Sequence, residues 1–418
     1  MPTLNHLTNY FNKYGLRRKP FYAFGLMILF WSIFDGIMSY VAPLVIERGG
    51  LSNTMIGIII GTSSVAGALF DFISCRIFKN TFYKRMFMIM FVLCLAYPLI
   101  LLKASSFLVF VIAMVIWGIY YDLKNIGEFD FVSRKAKKKE HSDSFGLIQV
   151  FQSLGYLIAP IFVGLLVAEE LNWEPFALSW IFLLISFVFF AMLYFMDGKK
   201  GKFQITRAKC QRSVWLEAGL WKKIGHIIFP VLALTLFLNI IDSFFWTIGP
   251  LFAESLAEIH RFAGFFMTAY LLPALLVGWF VGKVTRKYGK KKTAFVSLMI
   301  GSVLLLPLYL TNNPFLIVVE VFAASIFLAI SWPAINGAYA DYISETSSYE
   351  KEIETLEDFY GNLGYIFGPI LAGIISDKVG NGNAFAVLGA MGFFVAIILL
   401  LITPKRINVE KRLNGAPQ

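Results

Sequence analysis

Charge is scarce in this sequence. Asp, Glu, Lys and Arg make up 15% of its 418 residues, whereas hydrophobic residues make up 58% and the mean hydropathy is +0.70. A water-soluble protein of this length would need far more charge to cover its surface. The apolar residues also fall in long runs, so the composition indicates a membrane protein with the bilayer as its solvent.

Residues that bind metals and cofactors are also few. The three cysteines, Cys75, Cys94 and Cys210, have neither the spacing of a metal site nor a C-x-x-C pair. None of the four histidines lies in the middle of an apolar run, and the sequence contains no nucleotide-binding loop. We therefore expect no metal, no cofactor and no ATP-driven pump.

Apolar runs long enough to cross a bilayer number twelve, since one span needs about 20 residues. The predicted spans are 21–45, 54–78, 86–103, 106–131, 144–168, 175–196, 226–253, 260–284, 293–312, 314–342, 356–377 and 383–403. The longest connection, the basic segment 197–225 with Trp215 and Trp221, is predicted to contain an interfacial helix on the cytoplasmic side. It would link an N-terminal six-helix bundle, 1–196, to a C-terminal one, 226–418.

Lysine and arginine are distributed unevenly between the connections. Of the 37 Lys and Arg residues, 32 fall in the two termini or in the connections and span ends on the same side, and four (Arg48, Lys103, Arg261 and Lys378) fall on the other side. The positive-inside rule then places both termini in the cytoplasm. The net charge of +11 is thus explained by topology, so we predict a cytoplasmic (inner) membrane protein without a nucleic-acid partner.

The chain contains an internal repeat. Asp35 in span 1 and Asp242 in span 7 are each followed eight residues later by proline, at an offset of 207 residues. Further pairs in the same order, at offsets of 207 to 211 residues, are Gly57 and Gly264, Tyr156 and Tyr365, Asn125 and Asn336, and Asp130 and Asp341. Six spans is an even number, so the two halves have the same orientation and form a parallel repeat.

One loop motif resembles that of a known family. The segment 282–291 is similar to the cytoplasmic motif G-x-x-x-D-R-x-G-R-K of the major facilitator superfamily, with Gly282 and Gly289 retained. Arg286 stands at the position of the acid, so the salt bridge that the family assigns to this acid is not expected here. The resemblance covers essentially the whole chain and implies an all-α fold of twelve transmembrane helices around a central cavity.

A second motif resembles the fifth-span motif of the drug/proton antiporters in this superfamily. Span 5 matches it through Gly155 and Pro160, and span 11 carries the similar Gly364 and Pro369. Small residues let helices pack closely in lipid, and proline bends a span. These residues therefore serve either plain helix packing or the rocking of one half against the other.

Ionisable residues deep in a bilayer are costly, so each is a functional candidate. The candidates for proton coupling or substrate binding are Asp35, Asp242, Asp122, Lys124 and Glu128. Desolvation disfavours a charged carboxylate, which suits Asp35 and Asp242 for proton uptake and release near neutral pH. Either carboxyl could instead be a neutral hydrogen-bonding group between helices, and Lys124 and Glu128, spaced i, i+4, could simply neutralise each other.

Polar and aromatic residues share single helix faces in spans 1, 4, 7 and 10. The candidates for lining a cavity are Trp31, Ser32, Ser39, Tyr121, Asn125, Thr235, Asn239, Trp246, Trp332 and Asn336. The resemblance agrees, because these four helices line the central cavity in the family. Aromatic faces beside a carboxylate would suit a lipophilic or cationic solute, and uptake of a polar nutrient is also open.

These features predict a monomeric secondary transporter that moves a small organic solute by alternating access, with a proton or another ion as coupling partner. A lipid-moving protein or a passive uniporter of the same fold is the alternative. An intramembrane enzyme is a third class. Tyr121 and Asp122 resemble half of an aspartyl intramembrane protease, but the sequence lacks the Gly-x-Gly-Asp partner.

Overall fold

The structure, a computed structural model, describes residues 19–77, 83–136, 141–166, 172–196, 214–260, 264–345 and 349–404. These residues contain twelve α-helices and no strand. The helices are α1 Lys19–Arg48, α2 Asn53–Ile77, α3 Tyr83–Leu102, α4 Phe107–Lys135, α5 His141–Leu166, α6 Glu174–Met196, α7 Val214–Ile259, α8 Phe266–Tyr288, α9 Lys290–Leu305, α10 Pro314–Glu345, α11 Glu350–Val379 and α12 Asn381–Ile402.

The lengths and compositions of these helices suit a bilayer. Within the described ranges, eleven helices are long and apolar enough to cross a membrane. The remaining helix, α8, bends by 69° between Val277 and Phe280, and its two segments together meet the same test as a twelfth span. Away from its ends, a helix satisfies its backbone groups internally, as lipid requires. The prediction of an all-α membrane protein with twelve spans is confirmed.

Two glycines make the sharp turns between consecutive helices. Gly289 (φ +87°) joins α8 to α9, and Gly380 (φ +85°) joins α11 to α12. Each donates its backbone N–H to the last turn of the helix before it, to Thr285 O at 2.9 Å and to Ser376 O at 2.8 Å. A positive φ is strained for residues with a side chain, so glycine is the residue that allows these turns.

The two halves, α1–α6 and α7–α12, pack equivalent helices in the same way. A β-carbon at Gly155 of α5 would lie 2.6 Å from the β-carbon of Ser32 on α1. A β-carbon at Gly364 of α11 would lie 2.5 Å from the β-carbon of Asn239 on α7. Ser32 and Asn239 are equivalent in the repeat, as are the two glycines. The close approach of α5 to α1 thus recurs between α11 and α7, as expected of a parallel repeat.

The start of α7 differs from the prediction. The helix begins at Val214, so residues 214–225 of the predicted linker are continuous with the seventh span, while 197–213 lie outside the described residues. Trp221 packs its ring 6.3 Å from that of Phe359, and Ile224 is fully buried. These apolar contacts hold the segment against the second half, which explains why it does not form a separate interfacial helix. The division of the chain into 1–196 and 226–418 remains a proposal.

Candidate functional site

A buried carboxyl lies midway along α1. Asp35 has only 1% of its surface exposed. Its Oδ1 accepts hydrogen bonds from Trp117 Nε1 at 3.1 Å and from Tyr120 OH at 2.6 Å, both on α4. Its Oδ2 accepts a hydrogen bond from Tyr156 OH on α5 at 2.7 Å. These three partners are uncharged, so they hold the carboxyl in place without an ion pair.

A buried cation lies next to this carboxyl cluster. Lys124 Nζ on α4 is 2.8 Å from Glu128 Oε2, and the two side chains are 3% and 12% exposed. The same ammonium donates a hydrogen bond to Gln152 Oε1 on α5 at 2.8 Å and lies 5.6 Å from the centre of the Trp31 ring on α1. Lys124 is therefore satisfied within the first half, and its ion pair with Glu128 is the one that their i, i+4 spacing allows.

The two clusters form consecutive layers of the same three helices. We call the end of the bundle where α1 begins and α12 ends the terminal end, and the opposite end the distal end. The Asp35 layer consists of Asp35, Tyr120 and Tyr156, and the Lys124 layer consists of Trp31, Lys124 and Gln152. Each member of the second layer lies four residues, or one helix turn, nearer the terminal end than its partner in the first. Glu128 lies one turn further still.

The second half repeats the carboxyl with different neighbours. Asp242 of α7 is half-buried and accepts hydrogen bonds from Tyr270 OH of α8 at 2.6 Å and from Tyr365 OH of α11 at 2.5 Å. Tyr365 is the repeat equivalent of Tyr156, so the pair of an aspartate with a tyrosine occurs in both halves. In contrast, Ile335 stands where the first half has Lys124, so the charged layer belongs to the first half.

Aromatic side chains connect the two carboxyl clusters across the boundary between the halves. The rings of Tyr156 and Trp246 meet edge to face, with centroids 5.9 Å apart. Tyr156 donates its hydroxyl to Asp35, and Trp246 lies one helix turn beyond Asp242 on α7. The two carboxyls therefore belong to one polar and aromatic region at the centre of the molecule.

Several predicted cavity-lining residues are packed between helices in this conformation. Trp31 and Ser32 have no exposed surface, and Ser39, 5% exposed, donates its hydroxyl to the Asp35 carbonyl at 2.7 Å. Thr235 shares a hydrogen bond of 2.9 Å with Tyr339 OH, and Asn239 donates to the Thr235 carbonyl at 2.8 Å. For these residues the expectation of an open cavity wall is wrong in this conformation, because α1 and α7 approach their neighbours too closely.

The remaining cavity candidates are more accessible. Tyr121, Asn125, Trp246 and Trp332 are half-buried, and Asn336 is exposed. Asp122 is separate from this group, since a β-carbon at Gly67 of α2 would lie 2.5 Å from its Oδ2. Asp122 therefore faces α2 inside the first half rather than the Asp35 layer.

The predicted motif residues divide into exposed and packed sets. Gly282 and Arg286 are exposed, and Arg286 Nε donates to the Gly282 carbonyl of its own helix at 3.0 Å. Pro160 and Pro369 are buried, and a β-carbon at Gly57 of α2 would overlap the carbonyl oxygen of Pro369. The span 11 motif thus lies where α11 packs against α2 of the other half.

The halves are tied together at the distal end. Asp377 of α11 accepts backbone hydrogen bonds from Asn53 and Thr54 at 2.9 Å each, and a third from Thr54 Oγ1 at 2.6 Å. The carboxylate thereby caps the first turn of α2, where backbone N–H groups lack partners within their own helix. Arg48 Nη2 and Glu254 Oε1 form an ion pair of 3.1 Å between α1 and α7. The distal end is closed by these contacts.

Some of these residues were not among the sequence candidates. Tyr120 and Tyr270 had no assigned role, and Tyr156 and Tyr365 served only as markers of the repeat. One signal was available, because both an aspartate and a tyrosine recur at equivalent positions in the two halves. Asp377 lies in the last turn of α11 at the bilayer edge, where a carboxylate usually faces water.

The comparisons with known proteins agree with this architecture. A family model described as Major Facilitator Superfamily matches residues 21–349 and 231–418. The chain belongs to the Major Facilitator Superfamily. An uncharacterized MFS-type transporter, YuxJ of Bacillus subtilis (strain 168), is 24% identical to it over 282 residues, which are 66% of this chain and 69% of YuxJ. The chain is thus a membrane transporter of the secondary kind.

The solved structures that share this fold are described as transporters of different kinds. A mutant of the nucleoside transporter NupG aligns with a TM-score of 0.74 at 12% identity, covering 92% of this chain and 100% of NupG. The peptide transporter POT, in complex with sulfate, gives 0.72 at 13% identity, with 94% and 95% covered. An inward-facing, unoccupied bacterial homologue of the lysosomal transporter Spinster gives 0.66 at 14%, with 93% and 95% covered. At these identities the likeness concerns the fold alone.

Proposed function

We propose that this transporter moves a small organic solute across the cytoplasmic membrane by alternating access, and that the movement of the solute is coupled to the movement of protons. The proposal assigns the coupling to Asp35 and Asp242. It places both termini in the cytoplasm, because the basic residues concentrate in the termini and in the connections on their side.

The observation that carries the proposal is the enclosure of both carboxyls by tyrosines. A tyrosine hydroxyl can donate a hydrogen bond to a carboxylate and can also accept one from a carboxylic acid. Asp35, with Tyr120 and Tyr156, can therefore exchange a proton without losing its partners. Asp242, with Tyr270 and Tyr365, has the same property. Ion-paired carboxylates lack it, since their partners can only donate.

The closed distal end supports an inward-facing conformation. If the termini are cytoplasmic, the contacts of Asp377 and Arg48 close the outer side. The tight packing of Gly57 against Pro369 would have to separate for the outer side to open. The glycines and prolines of α5 and α11 would then serve the movement of the halves as well as their packing.

A passive uniporter or a lipid-moving protein is the second candidate. Either could use the same fold without proton exchange, and the fold comparisons do not distinguish them. The almost fully buried Asp35 and the half-buried Asp242 favour the first candidate, because carboxyls within a membrane are costly and proton exchange gives both of them a role.

Flux across proteoliposomes tests the proposal. Reconstituted protein is given an imposed pH gradient and a panel of radiolabelled amino acids, nucleosides, short peptides and the lipophilic cation tetraphenylphosphonium. We expect uphill movement of at least one solute, which is abolished by a protonophore. Movement that only equilibrates a solute, at a rate independent of the gradient, would establish the passive alternative.

A further inference from the structure

Lys124 is unusual among the basic residues of this chain. Of the 37 Lys and Arg residues, 36 fall in the termini, in the predicted connections or within two residues of the end of a predicted span, and Lys124 is the remaining one. It is 2% exposed, at the level of the Lys124 layer inside the first half. Burying an ammonium is costly in a membrane, so its presence needs a compensating role.

Glu128, the ion-pair partner of Lys124, is not fully satisfied by hydrogen bonds. Glu128 is the more exposed member of the pair, with 12% of its side chain accessible against 3% for Lys124. Beyond this ion pair, Glu128 Oε2 finds no hydrogen-bond partner among the described residues. A buried carboxylate oxygen usually accepts more than one hydrogen bond. Oε2 itself is buried, so a further donor would approach it past the accessible 12% of the Glu128 side chain, next to the half-buried Asn125.

We propose that Lys124 and Glu128, supported by Gln152, bind the two charged ends of a zwitterionic solute such as an amino acid or a short peptide. The solute carboxylate pairs with Lys124, and the solute ammonium pairs with Glu128. The Lys124–Glu128 ion pair is thereby replaced by two ion pairs between the protein and the solute. This inference rests on the proposed transport function and names the substrate class.

Charge balance favours a zwitterion over other solutes. The Lys124–Glu128 pair is neutral, so while Asp35 is protonated an anionic solute would leave one uncompensated negative charge in the membrane interior and a cationic solute one positive charge. A zwitterion keeps the net charge at zero. A lipophilic cation is disfavoured for a second reason, since the face of Trp31 is already occupied by the Lys124 ammonium.

A matched set of ligands tests the assignment. Thermal unfolding of the purified full-length protein is measured with the twenty amino acids and with a set of dipeptides. Each zwitterion that binds is then compared with its N-acetylated form, an anion, and its amide form, a cation. We expect at least one zwitterion to raise the Tm by about 2 °C or more at saturation, and both blocked forms to bind at least about tenfold more weakly. Equal binding of a blocked form, or no shift with any zwitterion, overturns the proposal.

Variants locate the site. Lys124→Gln should weaken binding of the zwitterion by at least about tenfold, and the double variant Lys124→Gln, Glu128→Gln should do the same while leaving no unpaired buried charge. Arg134→Gln is the matched control, because Arg134 and Asp130 form an i, i+4 ion pair of 2.8 Å on the same helix. Full binding by the folded double variant overturns the site.

The zwitterion proposal and the proposed proton coupling can fail independently of each other. Uphill, proton-driven flux of a solute that is not a zwitterion would overturn the substrate class and leave proton coupling intact. Lys124-dependent binding of a zwitterion without proton-driven flux would support the substrate class and overturn proton coupling.

Discussion

In the first half three side chains donate hydrogen bonds to Asp35, which is almost completely buried, whereas in the second half two donate to the half-buried Asp242. The Lys124 layer adjoins the first carboxyl, and Ile335 stands at the equivalent position in the second half. The repeat thus retains an aspartate–tyrosine pair and the helix packing around it, while the neighbours differ. Two equivalent carboxyls in different surroundings are expected to perform different tasks.

The largest effect is expected from Asp35→Asn. An asparagine cannot carry a proton, and its amide would place N–H groups toward donors such as Trp117. Uphill, proton-driven accumulation should fall to the level of protein-free liposomes, while folding and counterflow exchange stay largely intact. Accumulation at the wild-type rate would remove Asp35 as the coupling group.

Asp242→Asn should have a smaller and different effect. The substitution removes the charge-assisted hydrogen bonds from Tyr270 and Tyr365 but leaves the Asp35 layer unchanged. We expect solute affinity or coupling to fall by roughly tenfold, or about 1.4 kcal/mol, as measured by concentration-dependent flux. A phenotype identical to that of Asp35→Asn would indicate one shared proton site, and unchanged transport would exclude Asp242 from the site.

The packing shared by the halves can be tested with alanine. At Gly155 and at Gly364 an added β-carbon would meet atoms of the neighbouring helix at 2.5 Å, whereas at Gly146 of α5 it would meet none within 4 Å. Overpacking costs about 1–3 kcal/mol, so Gly155→Ala and Gly364→Ala should each lower the Tm by several degrees. Gly146→Ala is the control and should keep or slightly raise the Tm. A lower Tm for only one of the two variants would show that the packing in the two halves is not equivalent.

The tyrosines allow a direct comparison of the carboxyls. Tyr156→Phe removes one of the three donors to Asp35, and Tyr365→Phe removes one of the two donors to Asp242. A hydrogen bond contributes about 0.5–1.5 kcal/mol, so transport should change about twofold to tenfold, with the larger loss in Tyr365→Phe. The pH profile of flux, measured for both variants, checks the order. A larger loss in Tyr156→Phe would reverse the comparison.

The smallest effect is expected at the distal end. There the contact of α11 with α2 differs from the equivalent contact of α5 with α8. Asp377 caps α2, whereas the equivalent approach of α5 to α8 is between Gly164 and Gly264. Loss of a helix cap costs about 1 kcal/mol, so Asp377→Ala should shift the conformational equilibrium about fivefold toward distal opening. Spin labels at Lys103 and Glu258, both exposed, would report it as a longer distance. An unchanged distance distribution would show that the cap does not hold the distal end closed.

The sequence by itself determined the helices, the repeat and the two central carboxyls. A bilayer requires about 20 apolar residues for each span, so the spans are visible without any tertiary information. A carboxyl within such a span is costly and therefore conspicuous, which identified Asp35 and Asp242. The i, i+4 spacing likewise determined the pair of Lys124 and Glu128, because both lie on one helix.

Only the tertiary structure decided which groups meet across helices. Helical periodicity shows that residues share a face, but it does not show what lies against that face. Ser32 and Asn239 are polar and periodic, yet the opposite glycines bring a second helix too close for a cavity. The tyrosine partners of the carboxyls and the cap of α2 by Asp377 depend on contacts between residues far apart in the chain. The distance and rotation between packed helices, which no single helix encodes, decide such contacts.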